Sequence, residues 1–435
     1  MSKITIFWFR RDLRLNDNTA LFQALQSVFP VVPIFIFDTT ILNKLSDKKD
    51  ARVSFIYNTL KDINEELKKH SGSLLTTYSE PLEVFKKLSK EFDIDAVYTN
   101  HDYEPYAVQR DTTIKLFLES NGISFTTYKD QVIFEKNEIQ TDSETPYKVY
   151  TPYRNKWRQK FKELKLKEYK TESHFHNFYK AVTFPFPSLK SIGFEESSIL
   201  IPSVVVDLNL LKDYHLLRNT PEPNYTSKLG IHLRFGTVSI RRIVKQAATT
   251  NDTWLDELIW REFFMQLLYH FPFVVEKSFQ PKFNNFPWKH DEVAFEKWYK
   301  GETGYPLVDA GMRQLNQTGF MHNRVRMVTA SFLTKDLLID WRWGEAYFAE
   351  KLLDYELASN NGNWQWAAGT GADAQPFIRI FNPTTQQEKF DPNFLYIKKW
   401  IPEFETEAYP KTMVDHKLSS KKAKETFINF RDIHI

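Results

Sequence analysis

The chain has 435 residues, enough for two or three domains with substantial cores. Its 58 Lys and Arg nearly balance its 55 Asp and Glu, so the net charge of +3 does not indicate a nucleic-acid binder, and any DNA-binding surface must be a local patch. Cysteine is absent, which excludes disulfides, thiolate metal sites and a cysteine nucleophile, and no metal site is predicted. No apolar run is long enough for a signal sequence or a membrane span, so we expect a cytoplasmic protein that does not bind membranes.

Short apolar runs alternate with amphipathic segments over the first 130 residues. Strands are predicted at Ile4–Phe9, Val31–Phe37, Leu74–Thr77, Ala96–Thr99 and Ser124–Thr127. Helices are predicted between them at Asn18–Val28, Arg52–Lys69, Pro81–Glu91 and Gln109–Ser120. This alternation predicts a Rossmann-like α/β domain with a parallel sheet over residues 1–130. The turn after the first strand, Arg10 to Arg14, contains no glycine, so it lacks the fingerprint that brings a backbone close to a pyrophosphate.

The rest of the chain changes character twice. Residues 131–200 mix basic, aromatic and proline residues and are predicted to form a long connector. Helical patterns dominate residues 201–435, which predicts an all-α domain that ends in a charged helix over Lys417–Phe430. Gly369 to Ala374 matches G-x-G-x-x-A, but it follows a Trp-rich segment rather than a strand, so we interpret the match as accidental.

Three segments concentrate residues that can carry chemistry. Trp254, Glu257 and Arg261 share one face of a predicted helix, and a solvated salt bridge over ordinary core would explain them equally well. Residues 321–327 place an amide, an arginine and a methionine on one face, which a basic structural helix would also explain. In residues 353–366, two acids end a predicted helix, and amides and two tryptophans follow in a predicted glycine-containing loop; few structural roles need that combination.

The chain resembles the photolyase/cryptochrome family, and within it most closely the class I cyclobutane pyrimidine dimer photolyases. The resemblance covers the whole chain and rests on five segments, IFWFRRDLRLNDNTAL, TSKLGIHLRFGTVSIR, WLDELIWREFF, GYPLVDAGMRQLNQTGFMHNRVRMVTASFLTKDLLIDWRWGE and LLDYELASNNGNWQWAAGTGADAQPFIRIFNPTTQ. It implies an α/β antenna domain over residues 1–130, a connector over 131–200 and a helical FAD-binding catalytic domain over 201–435.

The resemblance implies FAD as the cofactor, active in its reduced anionic form. The residues implied to contact FAD are Tyr214, Thr226, Ser227, Lys228, Leu229, Gly230, Trp254, Glu257, Arg261, Asn323, Arg326, Asp354, Tyr355, Glu356 and Asn360. Arg326 and Asp354 correspond to an ion pair along the isoalloxazine ring, and Asn360 to the residue that faces flavin N5. A neutral amide can hydrogen-bond a reduced flavin without placing a like charge beside an anionic ring.

The resemblance also implies the reaction, which is blue-light-driven repair of cyclobutane pyrimidine dimers in damaged DNA, catalysed by a monomeric carbon–carbon lyase. Reduced FAD would transfer an electron to a dimer flipped out of the duplex. Glu257, Asn323, Met327, Trp260 and Trp366 are implied as the catalytic pocket around the dimer. The implied DNA contacts are Arg218, Trp260, Arg324, Arg379 and Gln386, and the implied electron-transfer chain from flavin to surface is Trp364, Trp341 and Trp298.

A few positions depart from the family pattern. Gly230 stands where many relatives have serine, Glu356 where aspartate is common and Asp256 where asparagine is common. Pro105, Tyr106 and Ala107 replace the Asn-Glu pair of folate-binding relatives, so folate is disfavoured as a second, antenna chromophore. A deazaflavin, a second flavin or an empty antenna pocket remain open.

Three other functions within the family are compatible with the general pattern. They are a cryptochrome-like light sensor that signals through a partner, a photolyase for (6-4) products and a DASH-type member that prefers single strands. Asn360, the complete dimer pocket and the lack of a C-terminal extension disfavour the sensor. Met327 and the missing histidines disfavour (6-4) repair, and Trp260 with Trp366 disfavours the DASH type.

Overall fold

The structure is a computed structural model and describes residues 3–374, 376 and 379–433. The chain forms two compact units. One comprises Met1–Glu138, Lys160–Val205 and Leu229–Gln246, and the other Ile139–Gln159, Val206–Lys228 and Ala247–Ile435. The predicted combination of a parallel-sheet region and a helical region is confirmed. The units interleave along the chain, however, because residues 160–205 and 229–246 belong with the sheet, so the predicted boundaries at 130 and 200 do not coincide with the units.

The first unit is built on five parallel strands in the order β3-β2-β1-β4-β5. The strands are β1 (Lys3–Phe9), β2 (Val31–Asp38), β3 (Leu75–Ser79), β4 (Asp93–Asn100) and β5 (Ser124–Tyr128). The central strand β1 is buried on both faces, with Ile4, Ile6 and Trp8 in one apolar cluster and Phe7 and Phe9 in another. Burial on both faces is why β1 and β2 read as continuous apolar runs, which is characteristic of parallel sheets.

The helices follow the predicted ones closely in the first unit and fill the second. In chain order they are α1 (Thr19–Leu25), α2 (Thr39–Leu42), α3 (Ala51–Lys69), α4 (Pro81–Glu91), α5 (Pro105–Ser120), α6 (Tyr150–Glu163), α7 (Leu208–Leu211), α8 (Tyr214–Leu217), α9 (Gly230–Phe235), α10 (Ile240–Thr250), α11 (Asp252–His270), α12 (Glu292–Lys300), α13 (Pro306–Thr318), α14 (Asn323–Ser331), α15 (Trp341–Lys351), α16 (Leu357–Ala368), α17 (Pro383–Phe390), α18 (Leu395–Trp400) and α19 (His416–Ile433). Short 3-10 helices lie at Thr171–Asn177, Leu189–Ile192, Pro272–Val275 and Pro281–Asn285, and Phe332–Asp336 is π-helical.

Two helix ends differ from the predicted ones for local reasons. Helix α5 begins at Pro105, before the predicted start at Gln109, because proline is well suited to the first helical turn. Helix α1 ends at Leu25 rather than Val28. Among the residues described, no helix is both long enough and apolar enough to cross a membrane.

The glycine-containing loop predicted after Glu356 is wrong, because these residues form helix α16, which packs against α11, α14 and α15. Two glycines permit these close approaches. Gly344 of α15 lies against the indole of Trp364, and Gly362 of α16 lies against the ring of Phe264, with no space for a Cβ atom at either place. The packing therefore fixes the helix on which Asn360, Trp364 and Trp366 are carried.

Candidate active site

The helical unit contains a cavity of about 410 Å³ between α11, α14, α16 and the segment that precedes α16. Its walls bring together thirteen of the residues singled out from the sequence: Arg218, Glu257, Trp260, Arg261, Asn323, Arg326, Met327, Asp354, Tyr355, Glu356, Asn360, Trp364 and Trp366. These residues lie far apart along the chain, so their convergence is a property of the fold. Side-chain caps fix the starts of two of the helices, Asn251 at α11 and His322 at α14.

An arginine–aspartate pair forms one charged wall of the cavity. The guanidinium of Arg326 donates to Asp354 Oδ2 at 2.9 Å and, through Nε, to the carbonyl of Met321 at 2.7 Å. The other carboxylate oxygen of Asp354, Oδ1, is buried without a partner among the described residues. A buried acceptor in this state is costly unless a bound group supplies a donor, and the N–H and ribityl hydroxyl groups of a flavin can do so.

A second ion pair closes another side of the cavity. Arg261 donates from Nε and Nη2 to the two carboxylate oxygens of Glu356, at 3.0 and 2.9 Å. Both side chains are largely buried. The two-pronged geometry is the strong form of an arginine–carboxylate contact. Glu356, the longer side chain at a position where aspartate is common, therefore fixes an arginine that the resemblance places near the cofactor phosphates.

Asn360 is held by a carboxylate from the neighbouring helix. Its amide Nδ2 donates to the Glu345 backbone carbonyl at 3.0 Å and to Glu345 Oε1 at 2.8 Å. Burial raises the pKa of Glu345, and the hydrogen bond from Asn360 opposes that shift. Because both donor bonds of the amide go to Glu345, the side-chain carbonyl of Asn360 is the atom left for a ligand. A carbonyl there suits the N5–H donor of a reduced flavin.

The carboxylate of Glu257 is paired with the guanidinium of Arg218 at the cavity wall. Burial raises the pKa of Glu257, and nearby Asp256 adds to that shift, while Arg218 opposes it. About a third of each side chain is exposed, so the pair lies where the cavity opens. Glu257 can therefore hold a proton to higher pH than an ordinary glutamate and donate it to a ligand in the cavity.

Two further arginines, Arg324 and Arg379, lie close to Arg218. Arg324 donates to Asn219 Oδ1 at 2.7 Å and stacks over the ring of Phe390, 4.4 Å from its centroid. Burial, and then the positive charges of Arg218 and Arg379, lower the pKa of Arg324. Like charges gathered in this way repel one another, and binding an anion such as a DNA phosphate relieves the repulsion. Gln386 is half-buried on α17, the helix that carries Phe390.

The three tryptophans predicted to carry electrons are all buried. Trp364 makes an edge contact with Trp298 at a centroid distance of 6.1 Å. Trp364, Trp341 and Trp298 are exposed by only 2%, 1% and 0% of their surface. The resemblance implies that the electron-transfer chain reaches the surface at Trp298. Because Trp298 is fully buried, a path to the surface needs at least one further residue. Trp298 stacks on Phe295, which contacts the half-buried Trp343.

Some of the predicted contacts lie outside the cavity walls. Tyr214 and Trp254 are buried, and burial, followed by the negative charge of Glu257, raises the pKa of Tyr214. In the predicted phosphate turn, Thr226 bonds to Asn224 Oδ1 through both its backbone N–H and its hydroxyl. Ser227 and Lys228 follow in the helical unit, whereas Leu229 and Gly230 belong to the first unit.

Two residues that support the cavity escaped sequence reasoning. Glu345, which holds Asn360, ends the segment WRWGE, and its local sequence predicts no role for it. Tyr150 stacks face to face on Trp260 and lies in the region read as connector. Nothing in the local pattern around Tyr150 marks it as part of a site.

The fold and the cavity together define a class of protein. A five-stranded parallel-sheet unit occurs with a helical unit whose cavity combines charged pairs, amides and tryptophans. Residues 5–172 match the family model of DNA photolyase, and residues 254–407 match that of the FAD-binding domain of DNA photolyase.

Individual relatives agree with these matches. The deoxyribodipyrimidine photo-lyase of Halobacterium salinarum is 37% identical over 92% of this chain and 89% of its own length. A class III photolyase from Agrobacterium tumefaciens has a TM-score of 0.87 at 32% identity, covering 99% of this chain and 98% of the other. The photolyase of Sulfolobus tokodaii, whose structure holds two FAD molecules, has a TM-score of 0.81 at 34% identity, with 98% of this chain and 99% of the other covered. The chain belongs to the DNA photolyase family.

Proposed function

We propose that this protein is a photolyase that splits cyclobutane pyrimidine dimers in DNA with blue light. The observation that carries the proposal is that one cavity holds both halves of the necessary site. Asn360, Arg326 and Asp354 line the part of the cavity that we assign to the flavin. The part that we assign to the dimer is lined by Glu257, Asn323, Met327, Trp260 and Trp366. A cavity shared by the two ligands brings donor and acceptor into contact, which is the main contribution a protein can make to such a transfer.

Reduced, anionic FAD, when bound, supplies the electron that blue light releases to the dimer. The protein's part is to bind the cofactor and to keep its reduced form stable. The neutral amide of Asn360 adds no negative charge beside the ring, and the guanidinium of Arg326 offsets the charge of the reduced flavin. Asp354 Oδ1, which has no partner among the residues that the structure describes, accepts a hydrogen bond from the cofactor.

Glu257 acts on the substrate side by holding a proton. Its carboxyl group, with a pKa raised by burial, donates a hydrogen bond to a carbonyl oxygen of the dimer and stabilises the negative charge that develops there. When the dimer enters, the contact between Glu257 and Arg218 has to open. Arg218 then becomes available to a backbone phosphate beside the lesion.

The dimer reaches the cavity by leaving the duplex. A dimer stacks and pairs poorly, so its extrusion costs less than that of normal bases. Trp260 and Trp366 offer indole surfaces to the extruded dimer, while Asn323 and Met327 fill the pocket beside it. The arginine group of Arg218, Arg324 and Arg379, with Gln386 nearby, neutralises phosphates and positions the duplex.

Photoreduction of oxidised FAD uses the buried tryptophans. Trp364 lines the cavity, and the ring of Trp298 contacts the ring of Trp364. Trp341 starts α15 and is buried in the same core. In this account Trp364 is the first electron donor, and Trp341 and Trp298 are the candidates for the next step.

A second, antenna chromophore would increase light capture and is not needed for repair. Pro105 to Ala107 replace the folate-binding pair, and Tyr106 donates to Asp38 Oδ2 at 2.6 Å. The relative from Sulfolobus tokodaii carries a second FAD. A second flavin is therefore the first candidate, with a deazaflavin next, and chromatography of the released chromophores distinguishes them.

The enzyme is proposed to act as a cytoplasmic monomer.

The test is repair under blue light of two duplexes, one with a cyclobutane dimer and one with a (6-4) product, beside a dark control. The proposal predicts light-dependent loss of the cyclobutane dimer alone. Repair of the (6-4) product alone would move the assignment to that class. Loss of neither product, with FAD bound and reduced, would favour a light sensor.

A further inference from the structure

Tyr150 and Trp260 form an unusually close aromatic pair beside the cavity. Their ring centroids are 3.5 Å apart and their planes 8° apart. Aromatic pairs generally prefer offset or edge arrangements with centroids about 4.5–7 Å apart. Full overlap at this distance is not the arrangement that two free rings would choose, so other contacts must hold the pair together.

Those contacts come from both ends of Tyr150. Its hydroxyl donates to the backbone carbonyl of Asp256, one turn before Trp260 on α11, at 3.0 Å. Burial and the charges of Asp256 and Glu257 raise the pKa of Tyr150, so the phenol keeps its proton and remains a donor. Its backbone N–H donates to Asp373 Oδ2 at 3.0 Å. Asp373 lies in the loop that follows α16, the helix of Trp366.

The helix that begins with Tyr150, α6, is also joined to α11 by ion pairs of two arginines. Arg158 donates to Asp256 Oδ1 at 2.9 Å and to Asp252 Oδ1 at 2.9 Å. Arg154 lies 3.5 Å from Asp256 Oδ2. Asp256, which departs from the asparagine common at this position, therefore serves as the anchor of α6. The carboxylate gives it the charge that two guanidinium groups need.

A second aromatic ring also packs near the indole of Trp260. The ring of Phe264 lies at a centroid distance of 5.6 Å with an interplanar angle of 27°. The indole thus contacts both Tyr150 and Phe264, while Trp260 still lines the cavity. A side chain packed against two aromatic rings is confined to one rotamer well and loses little entropy when a ligand binds against it.

We propose that Tyr150 is a positioning residue, which fixes the indole of Trp260 in the orientation that receives the extruded dimer. This inference rests on the proposed function, because it assigns a role to Trp260 in dimer binding. Tyr150 does not touch the substrate in this account. Through Asp256 and Asp373 it also joins the helix of Trp260 to the loop behind Trp366, and so relates the two indoles that contact the dimer.

The test is dark equilibrium binding to matched duplexes with and without a dimer, which requires no repair. Tyr150→Leu removes the stacked ring and is expected to reduce the preference for dimer DNA about five- to tenfold, with affinity for undamaged DNA and FAD content unchanged. Tyr150→Phe keeps the ring and loses one hydrogen bond, so its preference should stay within about twofold of the parent. Tyr153→Leu is the matched control, because Tyr153 is an equally buried tyrosine of the same helix that faces Phe263 and Glu262.

The outcomes separate the two proposals. A parent protein that does not prefer dimer DNA overturns the proposed function and this inference with it. A parent that prefers dimer DNA, with Tyr150→Leu retaining that preference, overturns the positioning role alone. An equal loss in Tyr150→Leu and Tyr153→Leu would reduce Tyr150 to a structural residue and also overturn it.

A double-mutant cycle gives an independent readout. If Tyr150 acts through Trp260, adding Tyr150→Leu to Trp260→Leu should cause no further loss of preference. Multiplicative losses would contradict the inference. Should Tyr150→Leu fail to give folded, FAD-containing protein, Tyr150→His retains a smaller ring at the same place and serves in both experiments.

Discussion

Glu257 and Arg218 form an ion pair at the cavity wall, and this pairing opposes the effect of burial on the pKa of Glu257. Burial raises the pKa of Glu257, whereas Arg218 lowers it. The proton that Glu257 offers to the dimer is therefore controlled by its distance from Arg218. This relationship makes the pH dependence of repair a direct test of the role of Glu257.

The first prediction concerns that pH dependence. A raised pKa means that Glu257 is protonated at low pH and loses its proton as pH rises, so repair yield should fall on the alkaline side. Arg218→Met removes the group that lowers the pKa and should move the fall to higher pH. Glu257→Gln should abolish the pH dependence, and Glu257→Ala should slow dimer splitting about tenfold with FAD still bound. Repair yields measured from pH 5 to 9 check all three variants, and a full yield in Glu257→Ala would rule out the assigned role.

The second prediction concerns the stability of the reduced cofactor. Asn360→Asp places a carboxylate beside Glu345, whose Oε1 lies 2.8 Å from the amide, and beside the anionic ring. The reduced form should be destabilised by about 1 kcal/mol or more, and should reoxidise faster in air. Asn316→Asp is the control, because Asn316 is exposed on α13, outside the cavity walls, and solvent screens its charge. Equal reoxidation rates in the parent and Asn360→Asp would show that the amide does not act on the flavin.

The third prediction concerns photoreduction. Trp364 lines the cavity, so Trp364→Phe should block light-driven reduction of oxidised FAD while leaving repair by chemically reduced protein intact. Trp341→Phe and Trp298→Phe then locate the next donor, since the variant in the path should slow reduction at least tenfold. Absorbance of the flavin under blue light with a thiol reductant measures the rate. Normal photoreduction in Trp364→Phe would remove these tryptophans from the mechanism.

The fourth prediction concerns the stability of the helical unit. Lys335 is fully buried, with Nζ donating to the Ala368 carbonyl at 2.7 Å and lying 3.7 Å from the centroid of Phe427. Burial lowers its pKa to about 7. Between pH 7 and about 10 the unfolded chain binds more protons at this site than the folded one, so the free energy of unfolding should rise with pH by a few kcal/mol.

Lys335→Met should remove that rise, and it should stabilise the protein most near pH 6. Lys351→Met is the control, because Lys351 is a partly exposed lysine paired with Glu350. Urea unfolding at pH 6, 8 and 10 gives the comparison. An identical pH dependence in the parent and Lys335→Met would mean that Lys335 keeps its charge in the folded protein.

Much of the fold could be predicted because its signals are local. Strands β1 and β2 are buried on both faces and therefore appear as unbroken apolar runs. The interleaving of the two units could not be predicted in this way. Residues 160–205 and 229–246 join the sheet unit through contacts with distant segments, which composition does not reveal.

The residues of the candidate site also differ in whether local sequence patterns could predict them. Glu257, Asn323 and Asn360 lie in segments whose residue combinations stand out, and they meet in one cavity. Tyr150 and Glu345 support that cavity through long-range contacts, with Trp260 and with Asn360. A tyrosine in a basic stretch and a glutamate on a helix are too common to be noticed without the structure. The complete burial of Trp298 is equally a result of packing, and a fully buried ring cannot be the end of a path to the surface.

The most direct test of the central claim, that one cavity holds the photoactive flavin and the dimer, is the action spectrum of repair. Purified protein with reduced FAD is illuminated at a series of wavelengths, and the loss of dimers per incident photon is compared with the absorption spectrum. We predict that repair follows the absorption of reduced FAD, with any bound antenna adding its own band, and that Glu257→Ala lowers the whole spectrum by one factor. Absence of light-dependent dimer loss at every wavelength, from protein with FAD bound and reduced, would contradict the account.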